Sequence, residues 1–179
     1  MGYHHGDLRA ALIRTSFDVL AEGGPERFSV AAVARRLGVS SAAPYRHFPD
    51  RDHLLSAVSA TAAHDLRAAI AAAVAADPAD GLGAAAGAYV RYVVRTGAGI
   101  HVIFAAELYA VPDDDRREQT RALMTTMLEL TRADVRLLEA TLAVAHGYAS
   151  LVAQGFFSQG PDTVDEVAGR AAEAARALL

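Results

Sequence analysis

The chain has 179 residues, 53% hydrophobic and 21% charged, which is enough for one compact unit or for a small head fused to a larger body. It has no cysteine, which excludes disulfide staples, thiolate metal sites and thiol nucleophiles, and no apolar run reaches the roughly 18 residues of a membrane span, so no membrane partner is expected. The net charge of −4 argues against nucleic acid until its distribution is considered: residues 1–55 hold seven arginines against six acids, whereas the remainder holds ten against fifteen.

The segment Met1 to Asp7 lacks a basic flank followed by an apolar stretch, so no secretory signal is read there and a cytoplasmic location is expected. Helical periodicity then runs almost unbroken, which predicts an all-α fold of about nine helices. The first spans roughly Asp7 to Ala21, with Ile13, Phe17 and Leu20 on one face, and stops at Gly23-Gly24-Pro25. Ser29 caps a short second helix that buries Val30, Val33, Ala34 and Leu37, turns Arg35 and Arg36 outward and ends at Gly38. A third, Ala42 to Phe48, is capped by Ser40 or Ser41 and ends at Pro49. Asp50 caps a long helix from Arg51 to about Ala76.

Asp77-Pro78-Ala79-Asp80-Gly81 breaks the pattern before a helix from about Leu82 to Arg95. A short apolar helix follows over Ile100 to Ala110, and another runs from Val111-Pro112-Asp113 to about Arg132. Asp134 caps a helix to about Phe157. Thr163 and Glu166 form a capping-box signature for the last helix, to Leu179.

Two short helices joined by Gly38-Val39-Ser40 have the dimensions of a helix-turn-helix, whose second member enters the DNA major groove. They complete an N-terminal three-helix DNA-binding head. Val33, Ala34, Leu37, Val39 and Phe48 supply a small clamping core. Around the second helix stand Ser40, Ser41, Ala42, Ala43, Tyr45, Arg46 and His47, with Arg51 just beyond, offering hydroxyls, rings and cations to phosphates and base edges. Pro44 fits at or near a first turn, where backbone N–H groups lack helical partners. Arg35 and Arg36 suit an exposed face as well as a phosphate contact.

Ile13 to Leu55 resembles the tetracycline-repressor (TetR) family of bacterial regulators. The likeness lies in Gly23-Gly24, Phe28-Ser29-Val30, Val33-Ala34-Arg35-Arg36-Leu37-Gly38-Val39-Ser40, Tyr45-Arg46-His47-Phe48-Pro49-Asp50-Arg51 and Leu54-Leu55. The resemblance implies that Tyr45 and Arg51 contact phosphates and that Ser41 to Ala43 face bases. Ala43 stands where a hydroxyl residue is common and Pro44 where leucine is common, which implies one missing phosphate or thymine contact and a shifted helix start. His146-Gly147 resembles a subgroup whose C-terminal domain carries Trp, His and Gly, although this chain has no tryptophan.

The resemblance further implies a regulator, usually a repressor, that binds an inverted-repeat operator as a homodimer through its last two helices and holds a small-molecule effector in its body. On that basis residues 1–55 are the DNA-binding domain and 56–179 the helical effector-binding and dimerisation domain. Apolar stripes fit the dimer: Leu138, Leu142, Ala145, Ala149 and Val152 in the penultimate helix, and Val164, Val167, Ala168, Ala171, Ala175 and Leu178 in the last. For the effector, His101 and Glu107 interrupt an otherwise apolar helix, where buried polar groups need partners; Phe104, Met127, His146 and Tyr148 are further pocket candidates.

His4 and His5 have no further ligands at suitable spacing, so no metal is expected, and no cofactor motif is present. Phosphate-binding glycine loops, nucleophile elbows and paired carboxylates are missing from the sequence, and an enzyme is not expected. The remaining alternative is a helical protein-interaction adaptor with a vestigial DNA-binding head.

Overall fold

A computed structural model describes residues 5–97, 102–157 and 163–179, with the side chains of 5–7 left out. Among these residues there are seven α-helices and no strand. They are α1 (His5–Arg27), α2 (Val30–Leu37), α3 (Arg51–Ala76), α4 (Gly81–Thr96), α5 (Asp114–Leu130), α6 (Val135–Ala153) and α7 (Thr163–Arg176). The chain divides into two compact units, residues 1–62 with 96–118 and residues 63–95 with 119–179.

The count falls from nine to seven for two local reasons. Where a helix is predicted over Ala42 to Phe48, only Pro44–Arg46 is helical, as one 3-10 turn. Where one is predicted over Ile100 to Ala110, residues 102–103 form a wide π-type turn and Ala106–Ala110 a 3-10 helix. The latter stretch is rich in β-branched Val and Ile before Phe104, residues that favour helix weakly unless packing enforces it.

In the first unit α1 packs on α2. Leu12, Leu20, Phe28, Val30, Val33, Ala34, Phe48 and Leu54 are all buried there. Helical conformation breaks at Gly24, where the sequence predicts the stop: its φ of 64° and ψ of −179° fall where essentially only glycine goes, and a further short helical stretch follows to Arg27. Ser29 accepts from the Ala32 N–H at 3.1 Å, and Gly38 closes α2 through its N–H to the carbonyls of Ala34 and Arg35, both as predicted. At the start of α3 the Asp50 carboxylate accepts from the His53 N–H at 2.9 Å, so the Asp50 cap also holds.

In the second unit α6 and α7 pack side by side. Asp134 caps α6 through the N–H groups of Arg136 and Leu137, and the helix ends at Ala153, short of the predicted Phe157. A Cβ built on Gly87 of α4 would lie 3.3 Å from the Ala168 carbonyl oxygen of α7, so these two backbones approach closely. Leu66 and Ile70 of α3 are fully buried, each contributing about 1.5–3 kcal/mol of transfer free energy.

Most of the apolar stripes of α6 and α7 is covered within the single chain: Leu138, Ala145, Ala149, Val167, Ala168, Ala171 and Ala175 are buried, Leu142, Val152 and Val164 are half-buried, and Leu178 is exposed. Periodicity identifies these faces correctly but assigns them to a second copy. The faces left exposed are the Glu139, Ala143, Gly147 and Leu151 ridge of α6 and Gly169, Arg170 and Glu173 of α7.

Asp80, ahead of α4, accepts from Arg176 at the end of α7, with Nη2 at 2.7 Å. That hydrogen bond, aided by the arginine's charge, holds the Asp80 carboxyl below its ordinary value and raises Arg176. A depressed carboxyl stabilises the fold above its unfolded value, about 3.9 for Asp, and the contribution disappears as pH falls through the folded value. The melting-temperature gap between wild type and Asp80→Asn is therefore expected to stay open above pH 5 and to close below about pH 4. A gap that widened on acidification would contradict this assignment.

Candidate nucleic-acid interface

The turn between α2 and α3 is shaped by Pro44. Lacking an N–H, proline cannot donate to the Ser40 carbonyl, so an α-helix capped at Ser40 would lack its first bond. Ala43 N–H takes that carbonyl instead, at 3.0 Å, and the chain continues in tight turns with His47 N–H and Phe48 N–H both 2.9 Å from the Pro44 carbonyl. Pro44 and Phe48 are buried and anchor the segment from below. Ser40, Ser41, Ala42, Tyr45 and Arg46 are exposed along it, Ala43 and His47 half-exposed. The Tyr45 side chain, a large ring at 53% exposure, has nothing in the fold to hold it inward. The capping serines expected for this segment give way to the Ser40 backbone carbonyl.

The cations differ in their surroundings. The Arg36 guanidinium grips Glu22 of α1 at 2.5 and 2.8 Å. This hydrogen bond holds the Glu22 carboxyl below its usual range. Arg51 lies against the end of α1, donating to the Pro25 carbonyl at 3.0 Å and to Asp52 at 3.1 Å. Arg9 sits over the Phe48 ring, 5.2 Å from its centroid.

Beside the turn is a cleft of about 300 Å³ lined by Arg9, His47, Phe48, His53 and Asp113, among others. Burial works to raise the Asp113 carboxyl, but the Arg116 N–H bonded to it and the Arg116 charge leave it lowered. Sequence reasoning gives Arg9, His53 and Asp113 no role; they come together only through folding, and no spacing signals it.

Of the residues expected in an effector pocket, His101 lies outside the described residues. Phe104, half-buried, and Glu107, exposed, belong to the first unit. Met127, buried, and His146 and Tyr148, half-buried, belong to the second. His146 Nδ1 is 2.8 Å from the hydroxyl of buried Tyr89, whose phenol burial pushes well above its ordinary value, so it stays protonated; the imidazole tautomer sets which of the two donates. Tyr148 stacks on Phe157 with ring centroids 6.3 Å apart.

The family described as bacterial regulatory proteins, tetR family, matches residues 12–58, the span from α1 through the turn into α3. A solved protein of unknown function from Rhodococcus sp. RHA1 is 30% identical over 99% of this chain and 98% of its own, with a TM-score of 0.75. The chain belongs to the TetR family. Two TetR-family structures share the fold: one from Rhodococcus RHA1 at 23% identity and TM-score 0.68, covering 94% of this chain and 95% of its own. The other, from Thermus thermophilus, has 23% identity and TM-score 0.64, covering 97% and 96%. No curated protein matches the chain. As a TetR-family member it is a DNA-binding transcriptional regulator with a helix-turn-helix, and no described helix is long and apolar enough to cross a membrane.

Proposed function

We propose that the chain is a cytoplasmic repressor that binds an inverted-repeat operator as a homodimer and is released by a small molecule. The observation that carries the DNA half of this reading is the row Ser40, Ser41, Ala42, Tyr45 and Arg46, exposed together on the segment that follows a properly capped α2. Residues 1–55 act as the DNA-binding domain, with Ala43 and His47 completing the reading surface, and residues 56–179 bind effector and dimerise. A twofold dimer places two reading segments in major grooves on one face of the duplex, hence the inverted repeat.

Selection from a random duplex pool is expected to yield a palindromic site. Ser41→Ala should then change the base preference within each half-site, whereas Tyr45→Phe should weaken all sequences alike, by a few-fold. Enrichment of no sequence at all would favour the protein-interaction adaptor.

For the effector, support comes from residues 85–157, where Ala, Val, Leu, Phe and Met dominate and a few polar groups such as Tyr148 could orient a guest. The mechanical link in this reading is α3, which contributes Arg51 to Ala62 to the first unit and Ala63 to Ala76 to the second. A coupling of about 1–3 kcal/mol lowers operator affinity roughly 5- to 150-fold, and linkage requires the operator to weaken the effector by the same factor.

A further inference from the structure

Among the described residues the largest side chain sealed from solvent is an arginine, Arg116 in the first turn of α5, at 2% exposure. Its Nε and Nη2 atoms reach no hydrogen-bond partner among those residues. The guanidinium sits over the Tyr109 ring, its carbon 5.0 Å from the centroid, a contact that leaves both nitrogens unbonded. Asp113 is near, but it spends its carboxylate on the start of the helix, accepting the Arg116 backbone N–H at 3.0 Å. Ser56 of α3 lies beside that carboxylate and helps to hold it down. Ser59, one turn further along the same face of α3, is fully buried, and its hydroxyl also lacks a partner among the described residues. Ser16, by contrast, returns its hydroxyl to the Leu12 carbonyl at 2.8 Å. All the residues around Arg116 named here belong to the first unit.

A buried cation without an ion pair is costly, and a fold keeps one where something completes it. Nε and Nη2 lie along one edge of the planar guanidinium, and their two parallel N–H bonds match the two oxygens of a carboxylate. We propose that this edge of Arg116 binds the carboxylate of a small organic acid. The proposal rests on the effector reading above and names the effector's chemical class. One negative charge neutralises the one buried guanidinium, whereas a phosphate carries a second charge into a sealed interior. Leu108 and Val111, on either side of Tyr109 in the chain, are buried and apolar, which suits an acid whose remainder is apolar. Both nitrogens are shut off from solvent, so the acid enters by displacing their cover, and Tyr109, 56% exposed, is the part of it that can turn outward. Asp113 also lines the cleft beside the reading turn, so a change at the start of α5 reaches the head through residues of one unit.

The test is thermal melting at neutral pH and constant chloride with acetate, benzoate and octanoate, each set against the alcohol of the same skeleton, and with inorganic phosphate. At least one carboxylate is expected to raise Tm by roughly 5–10 °C at a hundredfold excess over its Kd, and its alcohol by far less. Arg116→Met should abolish that shift. If Arg116→Met fails to fold, Arg116→Lys decides, because a lysine keeps the charge without the fork and should bind the carboxylate roughly tenfold more weakly. No shift with any carboxylate, an equal shift with the matching alcohol, a larger shift with phosphate, or full carboxylate binding in either variant overturns the assignment. The palindrome selected as above separates the site from the effector reading. A carboxylate that binds through Arg116 without weakening operator affinity upholds the site and removes the effector reading. An alcohol that alone binds and releases the operator removes the site and leaves the effector reading standing.

Discussion

A chain carrying both Gly147→Arg and Gly169→Arg is expected to sediment as a monomer, to lose on the order of 100-fold in affinity for an inverted repeat, and to keep the helical circular-dichroism signal of wild type. Both glycines lie inside helices, α6 and α7, where glycine costs about 1 kcal/mol relative to alanine. Neither has a positive φ, and a Cβ built on either meets nothing within 4 Å in the chain. Nothing among the described residues therefore accounts for the missing side chain. The proposed second copy would, because small residues let helices approach closely, and the α6 ridge of Glu139, Ala143, Gly147 and Leu151 has the i, i+4 spacing that interdigitates with a neighbour. Sedimentation at micromolar concentration checks the first part and circular dichroism the last. A dimer that survives both substitutions places the twofold axis elsewhere.

The second large effect concerns the Tyr89–His146 pair. Tyr89 is 1% exposed and Val90 and Val93 on the same helix are fully buried, so Tyr89→Ala leaves a cavity the size of a phenol ring in a packed region. Truncations of buried aromatics cost about 3–5 kcal/mol, a large share of a typical total of about 5–15. Tyr89→Phe keeps the volume and removes only the hydroxyl 2.8 Å from His146 Nδ1, at a cost of about 1 kcal/mol, since half-buried His146 can turn to water. Urea denaturation of the two variants separates packing from hydrogen bonding. Equal losses would mean that the hydrogen bond, not the ring, carries the stability of this site.

Features governed by neighbouring residues are legible in the sequence. Ser29 and Gly38 bracket α2, Asp50 opens α3 and Asp134 opens α6, because a cap needs only a side chain or a glycine within three or four residues of the groups it satisfies. The segment after Ser40 is harder to read. Pro44 is compatible with a first helical turn, yet the segment folds into i, i+3 turns closed by one i, i+4 bond from Phe48 to Pro44. The stripes on α6 and α7 are real, but an apolar stripe says only that a face is covered, not by which chain. The partners of Arg51 are hidden for the same reason: the carbonyls to which it donates, on Pro25 and Phe28, lie more than twenty residues away and carry no side-chain signature.

The shortness of the reading segment bears on how this regulator finds its site in a genome. In the operator reading proposed above, a single 3-10 turn preceded by Ser40 to Ala43 would bring about three side chains to base edges per half-site, where a longer helix would bring more. If each identifies one base pair among four, the two half-sites together specify about six base pairs, a pattern recurring about once in four thousand positions of random DNA. Against roughly a million or more competing sites, that amount of information leaves hundreds of decoys. The missing selectivity must come from base pairs the protein never touches, through the groove width and bending stiffness of the operator's centre. Operators of this regulator should therefore share their central sequence at least as strictly as their half-sites.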